Sequence, residues 1–167
     1  MREDNVPRKT DLIQDMREGI DYWLLKFPSD QKQSAVIGAL TCVQEKNGGY
    51  LTQELIERVA EYLDIPVISV LEVASFYSMF DLKPVGRHKI NVCSNISCLL
   101  CDCQGILDYL QKKLGIRVGE TSKDGKFTLK EVECLAACGQ APVMQIGKRY
   151  YENLTPEKID KILLELD

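Results

Sequence analysis

Histidine is nearly absent: His88 is the only one in 167 residues. It opens an expected strand, a position where a surface role is the ordinary one and a ligand role is not. No apolar run approaches the roughly 20 residues that cross a bilayer, so direct membrane insertion is not expected. Positive charge is not in excess, with 21 basic and 25 acidic side chains and a net charge of -4. A nucleic-acid partner needs a basic face to neutralise phosphates, so none is expected. The opening MREDNVPRKTDL lacks the apolar core of an export signal, and its acids argue against a mitochondrial presequence. The expectation is a soluble cytoplasmic protein. Repeats and low-complexity segments are absent. Gly48-Gly49 is followed by neither the lysine nor the further glycine of a phosphate loop, so the chain itself is not expected to bind nucleotide.

Cysteine, by contrast, is abundant. There are seven, an odd number, in a chain without an export signal. A reducing compartment keeps thiols free, so metal binding or dithiol chemistry is expected rather than a disulfide framework. Hydrophobic residues make up 45% of the sequence, enough for a packed core in one ordinary domain or two small ones.

The periodicity changes partway along. Residues 11–27 space Leu12, Ile13, Met16, Ile20, Trp23, Leu24 and Phe27 as one helical face, ended by Pro28. A second helix, capped by Ser29 or Asp30, buries Ala35, Val36, Ala39, Leu40 and Val43 and stops at Asn47-Gly48-Gly49. A third follows Thr52, with Leu55, Ile56, Val59 and Leu63 inward and Pro66 beyond its end. Ser69-Val70-Leu71-Glu72 reads as a capping box opening a fourth helix through Val73, Phe76, Tyr77 and Phe80. Four helices on short connections suggest a small antiparallel bundle. The aromatic stretch 73–80 fits either the core of that bundle or a partner-docking surface.

Lys83-Pro84-Val85-Gly86 breaks the pattern. After it come a strand at 88–93, a helix carrying Ile106, Leu107, Leu110 and Leu114, and a tight turn at Lys123-Asp124-Gly125-Lys126. Strands at 127–133, 143–146 and 149–151 follow, then a helix capped by Thr155-Pro156-Glu157 with Ile159, Ile162, Leu163 and Leu166 inward. This order is an α/β layer arrangement. The expected domains are 1–86, helical, and 87–167, α/β. Residues 1–87 carry 10 basic and 14 acidic side chains, and the remainder 11 of each.

Two strand-to-loop junctions each carry a cysteine pair. HKINVCSNISCLLCDC gives Cys93 and Cys98 as C-x4-C; 35 residues later VECLAACGQAP gives Cys134 and Cys138 as C-x3-C. Four thiolates make a soft cage that fits tetrahedral zinc or an iron–sulfur cluster. Structural zinc favours tighter C-x2-C knuckles, whereas the wider loops suit a [2Fe–2S] core with one pair per iron. Leu135, Ala136, Ala137, Gly139, Ala141 and Pro142 bring no charge to the second pair and let backbone amides approach the sulfurs. Cys42 falls at an apolar helical position and is expected in the core.

The strings QEKNGGYL, VASFYSMFDLKPVGRHKINVC, KKLGIRVGETSKDGKFTLKEVECLAACGQAP and YYENLTPEKIDKIL resemble the thioredoxin-like [2Fe–2S] ferredoxin family. Within it they resemble the small [2Fe–2S] subunit, known as the E subunit, in the peripheral arm of bacterial respiratory NADH:quinone oxidoreductase, complex I. The resemblance covers nearly the whole chain after about residue 11 and includes all four cysteines. It implies an N-terminal four-helix bundle followed by a thioredoxin-like [2Fe–2S] domain, with one cluster on Cys93, Cys98, Cys134 and Cys138. It also implies an oxidoreductase role as an electron carrier without a complete active site of its own. The partner would be the flavoprotein that binds FMN and NADH, among other peripheral-arm subunits, at the cytoplasmic face of the inner membrane. Equivalent subunits serve NAD-linked hydrogenases and formate dehydrogenases.

The chain departs from the family pattern just after the second cysteine, at Cys98-Leu99-Leu100-Cys101-Asp102-Cys103. Cys98 and Cys101 form C-x2-C at an expected helix start, where thiol pKa is lowered. That opens a dithiol oxidoreductase, or exchange of Cys98 for Cys101 as ligand, as alternatives. A zinc-stabilised interaction module is the remaining one.

Overall fold

A computed structural model describes residues 16–166. The chain divides into two compact units, Met1–Pro84 and Val85–Asp167.

In the first unit the described helices are α1 (Arg17–Leu24), α2 (Val36–Lys46), α3 (Gln53–Leu63) and α4 (Val67–Phe76), with a 3-10 turn at Lys32–Ala35. Their apolar faces meet in one core that includes Ile20, Leu40, Leu51, Ile56, Leu63 and Val70. The predicted inward residues of α2 and α3 are buried. Leu12 and Ile13, predicted on the first helical face, lie outside the described residues. Helix α1 ends at Leu24, before Pro28: the amides of Lys26 and Phe27 turn back to the carbonyls of Trp23 and Leu24. Close helix approach is local and steric. Gly38 lies beneath the indole of Trp23, and Gly19 faces the thiol of Cys42, so a methyl group at either glycine would collide. Cys42 is half-buried in that contact rather than fully in the core.

Caps decide where the helices begin. Thr52 Oγ1 accepts from the Leu55 amide at 3.2 Å and opens α3 as predicted. Neither Ser29 nor Asp30 caps the second helix, which is entered through the 3-10 turn instead. Ser69 does not cap α4 either. The helix starts three residues earlier than a cap at Ser69 would set it, at Val67, because Pro66 stands at the N-cap with an extended backbone and needs no amide partner. Ser69 and Glu72 thus lie inside the helix. It ends at Phe76, a residue 80% exposed, while Phe80 returns to the core at 5%. Gln44 anchors that return: its Nε2 donates to the Met79 carbonyl and its Oε1 accepts from the Asp81 amide at 2.7 Å.

The second unit is a four-stranded sheet in the order β2-β1-β3-β4. Its strands are β1 (His88–Cys93), β2 (Phe127–Val132), β3 (Met144–Ile146) and β4 (Arg149–Tyr151). Strands β1 and β2 are parallel, and the other two pairings are antiparallel. The parallel pair is joined by α5 (Ile96–Leu100) and α6 (Cys103–Leu114), and α7 (Pro156–Glu165) closes the chain. A parallel pair needs such a crossover, and its helix buries one sheet face. Ile106, Leu107 and Leu110 of α6 and Ile159 and Ile162 of α7 share a core with Ile90, Val92, Leu129 and Met144. Asp160 ties the two helices, accepting from Tyr109 Oη at 2.7 Å and pairing with Lys113 at 2.9 Å. Thr155 caps α7 as predicted.

Gly86 enters this unit against β2. Its amide donates to Thr128 Oγ1 at 2.6 Å, and a Cβ there would stand 2.8 Å from the Phe127 carbonyl carbon. His88, two residues on, is half-buried with its ring 5.7 Å from that of Phe127. Among the described residues no helix is long and apolar enough to cross a membrane.

Candidate metal centre

Because β1 and β2 are parallel and paired in register, from His88 beside Phe127 to Cys93 beside Val132, their C-terminal ends leave the sheet together. Ligands gather at that end of parallel strands, where the loops emerge. Here both loops carry cysteines.

The first loop is ordered by two long-range backbone bonds and one local cap. The Cys93 amide donates to the Val143 carbonyl at 3.1 Å, and the Ser94 amide to the Val132 carbonyl at 3.0 Å. Asn95 Oδ1 accepts from the Ile96 amide at 2.9 Å and starts α5. Cys98 sits in the middle of this helix and is 2% exposed, beside Cys93 at 4%. Burial first, then its hydrogen bond with Cys93, pushes the Cys98 thiol up to about 11, while the Val143 backbone pulls the other way. Cys103, at 1% exposure, is raised mainly by burial and then by Cys93. These three cysteines and Val143 form an apolar cluster lined by Leu135, Ala137 and Ala141.

The second loop is open. Cys134 and Cys138 are exposed, and the Ala136 amide donates to Cys134 Sγ at 3.3 Å. Ala136 itself adopts a positive φ of 57°, a left-handed turn that redirects the chain just after that amide. Cys138 begins a 3-10 turn, Cys138–Gln140, that packs against α5 and so brings the second loop alongside Cys98. The Ala141–Pro142 bond is cis.

The structure therefore places Cys93 and Cys98 together, and sets the turn of Cys138 beside them. Among the described residues no three His, Cys, Asp or Glu side chains converge on a point where one ion could sit. A binuclear core asks for less, two thiolates on each iron. The donor set fits it: two thiol pairs, backbone amides aimed at sulfur, and an uncharged apolar lining. The C-x2-C reading needs correction. Cys98 lies inside α5, not at its start, and Cys101 is its exposed C-cap. A buried thiol with a raised pKa is a poor attacking group for dithiol exchange. The sequence did not single out Cys103 as the thiol that joins the pocket; the signal available was only its place just before the apolar run Ile106-Leu107.

Residues 20–167 match the thioredoxin-like [2Fe-2S] ferredoxin family. A Rickettsia felis protein described as the E subunit of NADH-quinone oxidoreductase is 48% identical over 140 residues, 84% of each chain. A Rhizobium meliloti protein of the same description, the second of its kind by its numbering, is 42% identical over 148 residues. That match takes in 89% of this chain and 86% of the other. In three dimensions the chain is similar to part of an NAD+-reducing [NiFe]-hydrogenase in its air-oxidized state. The TM-score is 0.63 at 18% identity, over 81% of this chain and 22% of that one, a likeness of fold. By the family match and by the extent of its likeness to these relatives, the chain belongs to the thioredoxin-like [2Fe–2S] ferredoxin family, whose cofactor is one [2Fe–2S] cluster.

Proposed function

We propose that the chain is the electron-carrying E subunit of an NADH:quinone oxidoreductase, with Cys93, Cys98, Cys134 and Cys138 holding its single [2Fe–2S] cluster. What carries the reading is the parallel β1–β2 pair, which delivers both cysteine loops to one end of the sheet. When bound, the cluster supplies one-electron transfer. Cys93 and Cys98 form the inner pair and keep water from one side of the centre; Cys134 and Cys138 form the outer, solvent-facing pair. Each of the four thiols releases its proton on ligation. The Ala136 amide at Cys134 and the Val143 backbone at Cys98 stabilise the negative charge left on sulfur.

The partner in this reading is the flavoprotein that binds NADH and FMN, within the peripheral arm at the cytoplasmic face of the inner membrane. The chain contributes no complete active site of its own. We take residues 1–86 as a four-helix bundle and residues 87–167 as the cluster domain. A hydrogenase as parent complex draws only on fold likeness, whereas the NADH-quinone oxidoreductase relatives match most of both chains.

The test is iron, sulfide and zinc content of the anaerobically purified chain, with low-temperature EPR after dithionite reduction. About two irons and two sulfides per chain with a rhombic spin-half signal are expected. One zinc per chain and no signal would sink the proposal and leave a structural module.

A further inference from the structure

Three cysteines in the chain are buried, and the proposed ligand set uses only two of them. We propose that Cys103 is an alternative thiolate for the iron held by Cys93, able to take the place of Cys98. The proposal rests on the reading of Cys93 and Cys98 as the inner pair.

The geometry separates Cys103 from its neighbour. Cys101 closes α5 and faces solvent. Asp102 then adopts a left-handed backbone, φ 62°, which turns the chain inward so that Cys103 opens α6 inside the thiol cluster. The turn is held from within: Asp102 Oδ1 accepts from the Gly105 amide at 3.1 Å. Cys103 thus packs with Cys93, Cys98 and Val143, two residues beyond a cysteine that points away.

The carrier of Cys98 is the less firmly held of the two helices. Helix α5 has five residues and presents Ile96, Leu99 and Leu100 to solvent, while α6 has twelve and is anchored in the core by Ile106, Leu107 and Leu110. Exchange needs no redox partner. Cys103 gives up the proton of its thiol as its sulfur binds, the departing Cys98 thiolate takes up a proton, and the number of sulfur donors and the net charge are unchanged. Cys103 would then keep the inner iron bound when Cys98 is lost.

The test uses the full chain, purified anaerobically, as Cys98→Ala, Cys98→Ala/Cys101→Ala and Cys98→Ala/Cys103→Ala. Iron and sulfide content, the visible spectrum and EPR are read, with far-UV circular dichroism as folding control. The first two variants are expected to keep at least roughly half of the unsubstituted chain's iron, with shifted g-values, and the third to fall to background with unchanged dichroism. Iron lost already from a folded Cys98→Ala, or kept in Cys98→Ala/Cys103→Ala, overturns the proposal. Should Cys98→Ala not fold, Cys98→Ser replaces it: a spectrum of four sulfur donors that gains an oxygen donor only when Cys103→Ala is added supports exchange. Oxygen ligation with Cys103 present overturns it. An unsubstituted chain without iron defeats the cluster reading itself, and is recognised by that control alone.

Discussion

Asn153 clasps Gln140 twice: its amide donates to the Gln140 carbonyl at 2.8 Å, and its Nδ2 to Gln140 Oε1 at 2.7 Å. Gln140 ends the 3-10 turn that Cys138 begins, so a residue just past β4 steadies the outer cysteine loop. Asn153 holds a positive φ of 46°, a conformation asparagine tolerates better than most side chains.

Asn153→Gly should keep the backbone and lose the side-chain clasp, and Asn153→Ala should lose both. For exposed hydrogen bonds the stability loss is about 1 kcal/mol for Asn153→Gly, and larger for Asn153→Ala. The sharper readout is cluster loss to an iron chelator, expected to quicken in both variants. An unchanged rate would remove Asn153 from any role in holding the loop.

Cys134→Ser should bleach or shift the cluster spectrum while the helical content stays intact, since the helices of Met1–Pro84 and their core are built from other residues. Serine offers a harder oxygen donor in place of a soft thiolate. An unaltered visible and EPR spectrum would strike Cys134 from the ligand set.

Gly38→Ala should drive a methyl group into the indole of Trp23. Overpacking of this kind costs about 1–3 kcal/mol. Trp23 is the only tryptophan, so its fluorescence reports the displacement directly. A native-like emission maximum together with an unchanged melting temperature would show that α1 moves aside freely.

Asp160→Asn should flatten the acid limb of the stability profile. The hydrogen bond from Lys113, then that from Tyr109, holds the Asp160 carboxyl below its ordinary value. A folded-state pKa below the unfolded one adds stability that is fully present above the unfolded value and lost as pH falls through the folded one. Denaturant titrations between about pH 5 and pH 2 should therefore show a shallower decline in the variant. Parallel declines would mean that the contact among Asp160, Lys113 and Tyr109 adds nothing in solution.

Much of the fold could be read along the chain because its signals are local. Alternating apolar residues mark β1 and β2, and the hydroxyls of Thr52 and Thr155 start their helices through bonds to amides three residues on. Ser69-x-x-Glu72 has the same local form yet fails, because Pro66 starts the helix before the box can act. Phe76 and Phe80 also look alike in sequence; the first is exposed and the second buried, since helix α4 stops between them and Gln44 holds the returning chain.

The cysteines divide along the same line. Spacing and residue type by themselves settle that two cysteine pairs follow two expected strands in a chain with a single histidine, which points to a sulfur-bound metal. Which thiols share a pocket is decided elsewhere. Spacing favours Cys101, through its C-x2-C with Cys98, over Cys103 two positions on; the left-handed turn at Asp102 exposes the first and buries the second. The parallel register of β1 and β2 then places loops 35 residues apart at one sheet end. Burial and proximity depend on contacts between distant segments, and no local pattern encodes them.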